Sequence, residues 1–246
     1  MTVWVLPSRP VMDSDRRFYL TMALALLATT ILGFVPTFHL RFALADGQSF
    51  EPLRLLIFIH GLLFASWIMV FIIQLTLIPV GRTDLHRRGS DMAIILITAM
   101  ILIDLFIALR SVDRSLTAPT GVDPRSWLAV PLLDVPLFTV LILIAKANRH
   151  IQQAHRRLVL VAMIDMMRPS LGRLLPLFGA PVWAALLAPL LFLVPQIVRD
   201  LRLRDRIHPA TLWSSVAITG VVLSLPIFWS SAWWLGFADW MTSLVA

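Results

Sequence analysis

The 246-residue chain has no cysteine, which excludes disulfides, thiolate metal sites and cysteine nucleophiles. It has a single lysine, Lys146, at the end of an apolar run. A retinal-type Schiff base needs a lysine deep in the bundle, so that class is excluded as well. There is no Gly-rich phosphate loop, no Ser-centred hydrolase elbow and no Rossmann fingerprint. Charge is scarce: 14% of residues are Asp, Glu, Lys or Arg, against about 25% in a typical soluble domain.

Apolar residues fill the space. They make up 59% of the chain, and the mean hydropathy is +0.84. A water-soluble fold built from this composition would have too little polar surface. A spanning helix needs about 20 apolar residues. Seven runs qualify: Phe18–Phe38, Leu55–Val80, Met92–Leu109, Trp127–Ala145, Leu158–Phe178, Pro181–Val198 and Leu212–Trp234. The expectation is an all-α, seven-helix transmembrane bundle forming a single domain over residues 1–246. Pro79, Pro131, Pro136, Pro169, Pro176, Pro189, Pro195 and Pro226 should kink several of its helices.

The net charge of +7 and the sequence pI of about 11.4 have a topological explanation. With the N-terminus inside, the cytoplasmic segments carry fourteen Lys and Arg and the outer segments five. That is a strong positive-inside bias, and with seven crossings it puts the C-terminus outside. The arginines therefore give no reason to invoke nucleic acid. Trp127, Trp183, Trp229, Trp233 and Trp234 then fall near the outer interface. Arg16, Arg17, the first apolar run and Ala43-Leu44-Ala45 also resemble a signal peptide. The run is long for a signal core and reads better as a membrane helix.

Polar groups at membrane depth are costly and usually face the bundle interior. They form two layers. The outer one holds His60, Asp104, Asp134 and Arg173, with Arg168 deeper. His60, Trp67 and Gln74 are spaced by seven and share one stripe. Asp165 precedes Arg168 by three, so the two can pair along one face. These residues fit either an ion network that fixes helix packing or a polar cavity that binds a substrate.

The inner layer holds His86, His155, Asp200 and His208, from separate cytoplasmic segments. Three imidazoles and a carboxylate make a sensible zinc set, with Asp84 and Asp205 close enough in sequence to orient ligands. Neighbouring arginines oppose it, and interfacial histidines bonding helix ends are the plain alternative. A haem held by His86 and His155 is a further option; His60 has only His39 near it at the outer end.

The motifs Leu85-His86-Arg87-Arg88-Gly89 and His155-Arg156-Arg157-Leu158, the second opening a helix with Arg168 and Arg173, resemble a known pattern. It is that of a family of predicted bacterial integral membrane proteins of unknown function, and the resemblance spans roughly residues 55–210. It implies a bacterial inner-membrane protein and assigns no catalytic residue.

The functional expectation is a polar intramembrane cavity that binds or carries a small or lipidic molecule. Its residues would be His60, Trp67, Gln74, Asp104, Asp134, Arg168 and Arg173. One alternative is a zinc-dependent membrane enzyme using the inner histidines. The other is a structural or assembly subunit bound to other membrane subunits.

Overall fold

The computed structural model describes residues 9–35, 52–77, 80–112, 118, 119, 121–229 and 231–245. Ala43-Leu44-Ala45, His39, Arg41, Pro79 and Arg114 lie outside the described residues. Every described element is helical. The order begins α1 (Arg9–Phe34), α2 (Pro52–Leu77) and α3 (Thr83–Arg110). Then come α4 (Pro124–Trp127), α5 (Ala129–Ala147), α6 (Gln152–Asp165) and α7 (Arg168–Leu174). A 3-10 turn (Leu175–Phe178) leads to α8 (Val182–Leu187), and another (Ala188–Phe192) to α9 (Leu193–Arg204). The last two are α10 (Pro209–Trp229) and α11 (Ala232–Ser243).

Among the described residues, six stretches are long and apolar enough to cross a membrane: Ser14–Phe34, Leu55–Leu77, Thr83–Arg110, Pro124–Ala147, Val182–Arg204 and Pro209–Trp229. Their outward faces carry large apolar side chains. Ile95, Leu102, Leu223 and Ile227 are 73, 64, 62 and 71% exposed. Water does not tolerate such a surface on a monomer, whereas a bilayer solvates it. The chain is thus a multi-pass membrane protein whose outer surface meets lipid.

Three expected runs take another form, Pro181–Val198 being spread over α8, a 3-10 turn and α9. Leu158–Phe178 is divided into α6, α7 and a 3-10 turn. Pro169 has no N–H to give the Asp165 carbonyl and its ring would clash there, so the helix stops at Asp165 and restarts at Arg168. Its charged residues also depress its hydropathy. The loss is tolerable because the segment is sheathed by its neighbours: Leu160, Val161, Ala162, Met163 and Ile164 are all fully buried. The run Leu212–Trp234 ends early, α10 stopping at Trp229 and α11 beginning after Ser231.

The prolines act mostly at helix starts rather than mid-helix. Pro169, Pro176 and Pro189 occupy first-turn positions of their segments, while Pro136 and Pro226 lie inside α5 and α10. Two glycines permit close crossings. A Cβ on Gly33 would lie 2.3 Å from the Ser170 carbonyl oxygen, so α1 rides directly on α7. A Cβ on Gly89 would lie 2.0 Å from Gln74 Nε2, where α2 meets α3.

Polar contacts sort the helix ends into two groups. Asp15 of α1 pairs with Arg156 of α6 and Arg199 of α9. At the other group, Ser126 donates to the Trp229 carbonyl, Trp234 Nε1 donates to the Arg125 carbonyl at 2.9 Å, and Arg110 donates to the Val245 carbonyl. Here α11 shows three faces. Trp234, Ala238 and Thr242 are buried; Trp233, Trp240 and Leu244 are exposed; Gly236, Asp239 and Ser243 form a small, polar side.

Candidate intramembrane site

The break that Pro169 imposes puts Arg168 at the first position of α7, three residues from Asp165. Arg168 Nη2 donates to Asp165 Oδ1 at 2.8 Å, and Nη1 meets Asp134 Oδ1 of α5. One buried guanidinium therefore bridges two carboxylates. Each carboxylate left without it would face low dielectric alone. The pairing of Asp165 with Arg168 was legible from the spacing, and Asp134 completes the triad.

His60 and Asp104 form a second pair nearby, with Nδ1 3.6 Å from Oδ1. That is beyond hydrogen-bond length, and His60 Nδ1 is buried with no hydrogen-bond partner. The imidazole leans on Phe64, centroids 4.2 Å apart. Asp104 lies within electrostatic reach of Asp134. Arg173 approaches from α7. Its Nη1 donates to the Pro169 carbonyl at 2.9 Å, its Cζ stands 4.7 Å from the Phe34 ring centroid, and its charge reaches His60.

Five of the seven expected outer-layer residues therefore come together. Trp67 and Gln74 do not join them. They sit about 10 and 21 Å further along α2. Trp67 packs edge-on against Phe138, 6.0 Å between centroids, and Gln74 packs against Gly89.

A crevice of about 60 Å³ opens beside His60, between α1, α2 and the α6–α7 break. Its lining is apolar, with Phe64, Met163, Met166 and Met167; Thr30, His60 and Ser170 add polar groups. Of the expected binding residues, His60 alone lines it.

The inner layer has a different use from the one expected. Among the described residues, no group of three or more His, Asp or Glu is placed to hold a metal ion. The zinc set His86, His155, Asp200 and His208 does not assemble. Asp200 is fully buried and already saturated: it accepts from Arg157 Nε at 3.0 Å and from Arg157 Nη2. It also accepts from Thr211 Oγ1 at 2.6 Å, the His208 backbone N–H at 3.1 Å and Gln196 Nε2 at 3.3 Å. His155 Nδ1 lies 2.8 Å from the Ala145 carbonyl, which can only accept, so that nitrogen carries the proton. His208 Nδ1 accepts from the Ala210 N–H at 3.1 Å and so caps α10. Burial, with Arg157 and Arg204 nearby, holds the His208 imidazole below the usual histidine value. The expected orienting acids are occupied elsewhere: Asp84 pairs with Arg82 at 3.2 Å, and Asp205 ends α9 in a left-handed conformation.

Gln153 links this network to a second one. Its carbonyl and Oε1 accept from Arg157, and its Nε2 donates to Asp15 at 3.3 Å. Asp15 also holds Arg156 at 2.9 Å and Arg199, with Tyr19 and Phe18 under the guanidiniums. Asp15, Gln153, Gln196 and Thr211 were not singled out from sequence. Gln196, Arg199 and Asp200 do share one helical face by spacing, and that was the available signal.

The chain matches no protein-family model, and neither curated proteins nor solved structures show significant similarity to it.

Proposed function

We propose that this protein binds, and carries within the membrane, a small amphiphilic molecule at the crevice beside His60. The observation that carries the reading is the crevice itself. An apolar recess meets an imidazole whose Nδ1 makes no hydrogen bond, at the break between α6 and α7. An apolar pocket with a few convergent polar groups is the usual form of a small-molecule site. Asp134, Arg168 and Asp165 pin the two sides of the break together without lining the crevice.

In this reading α6 and α7 together make a seventh crossing. Asp15, Arg156 and Arg199 meet at one end, so the chain must leave that end and return between residues 157 and 199. Residues 157–178 give about 32 Å of helical rise, enough for a hydrocarbon core of about 30 Å. The arginine-rich end would be cytoplasmic by the positive-inside rule, in a bacterial inner membrane. The histidine–arginine motif would then act as a clamp: Arg156 on α1, Arg157 on α9. A second reading, a structural subunit, rests on the saturation of that clamp and needs no ligand.

Native mass spectrometry of detergent-purified protein separates the two. The carrier reading expects a retained lipid or fatty molecule that Ala65→Trp displaces, since Ala65 lines the crevice. A wild-type protein that retains nothing leaves the structural reading.

A further inference from the structure

Among the described residues, Arg173 is a membrane-depth arginine with no carboxylate partner. Arg168 is shared by Asp134 and Asp165, and Arg157 is held by Asp200. Among the described residues no carboxylate lies within ion-pair distance of Arg173; it has only the Pro169 carbonyl and the Phe34 ring. A carbonyl dipole and a ring face do not neutralise a guanidinium. Five residues before Phe178, it sits roughly 8 Å inside the end of its segment. An uncompensated cation there is costly and usually marks a ligand.

Its position says which ligand. Both of its contacts, Pro169 and Phe34, line the crevice, and His60, whose ring its charge reaches, lines it too. The guanidinium therefore stands beside an apolar recess whose wall includes the Ser170 hydroxyl. Arginine presents a planar fork of donors that matches phosphate or carboxylate. The recess of about 60 Å³ accepts only a short length of one chain. Ala65, on its wall, is exposed on the outer surface of α2, so the recess opens to the surrounding leaflet.

We infer that the crevice takes an anionic lipid from the surrounding leaflet, its headgroup oxygens bound by Arg173 and one acyl chain lying along Met163, Met166 and Met167. The inference rests on the crevice reading above and adds the sign of the headgroup. His60 and Ser170 can then donate to the same oxygens. The deeper triad holds its one guanidinium between two carboxylates, so it offers no free cation to the headgroup.

The test is native mass spectrometry after equilibration with equal amounts of phosphatidylglycerol and phosphatidylcholine. Wild type should retain phosphatidylglycerol in several-fold excess. Arg173→Gln should bring the ratio close to one while still retaining lipid, and Arg173→Lys should keep the excess. Ala65→Trp should lose both lipids. Equal retention by wild type overturns the inference but leaves the crevice standing, as does an excess that persists in Arg173→Gln. An excess that survives Ala65→Trp places the headgroup contact outside the crevice and also overturns it. If neither lipid is retained by wild type, the crevice reading itself fails. Should Arg173→Gln not fold, the wild-type ratio and the Arg173→Lys variant still decide.

Discussion

Arg157 and Asp200 show how a charge survives burial. The pair is 1 and 0% exposed, and each partner's remaining hydrogen-bonding capacity is met by Gln153, Gln196, Thr211 and a backbone N–H. Removing one side leaves a buried charge with no counter-ion, which costs roughly 3–5 kcal/mol. Arg157→Met should therefore lower the thermal unfolding midpoint in detergent sharply. The double variant Arg157→Met with Asp200→Leu should recover part of the loss, because no unpaired buried charge remains, although Thr211, Gln196 and the His208 N–H then lose their acceptor. A loss in the double variant equal to the sum of the Arg157→Met and Asp200→Leu losses would show that the pair is not coupled. These residues also show where sequence reasoning stopped. Depth along each apolar run was enough to gather His60, Asp104, Asp134, Arg168 and Arg173. It was misleading at the inner boundary, where arginines were counted as topology signals and histidines as ligands. Asp200 looked available because its saturating partners come from α6, α9 and α10, and no spacing rule relates those helices before they pack.

Among the elements, the α6–α7 pair departs most from its expected form. Hydropathy locates it as an apolar run, and Pro169 marks the break. What the sequence does not state is that this helix is central. Burial on every side follows only from the packing of α1, α5 and α10 around it. The same limit applies at the end of α10, where apolar residues continue through Trp233 and Trp234 and only Ser231 signals a new helix. Close crossings give a graded test of the packing. Gly33→Ala puts a Cβ against the rigid backbone carbonyl of Ser170, and Gly89→Ala puts one against the movable amide of Gln74. The first should cost about 1–3 kcal/mol, in the range of overpacking, and should also distort the crevice wall at Ser170. The second should cost less. Unfolding midpoints of the two variants check the order; a larger loss for Gly89→Ala would mean that the α1–α7 contact is looser than described.

For the molecule as a whole, the lack of cysteine makes the native chain its own background for single-cysteine labelling. The account expects Arg87→Cys and Arg202→Cys to react with an impermeant maleimide only from the cytoplasmic side, and Asp239→Cys only from the outer side. Reaction of Asp239→Cys and Arg202→Cys from one side would remove a crossing. Lipid faces, a buried central helix and ion-clamped ends frame a recess at membrane depth, and the functional claim depends on that recess being occupied. The most direct measurement is a crystal structure of the protein grown from a lipid phase, read at the crevice. The account predicts elongated density between α1, α2 and the α6–α7 break, its polar end at His60 and Arg173 and its tail along Met163, Met166 and Met167. A crevice closed by its own side chains, with Arg173 turned out to the membrane surface, would contradict it.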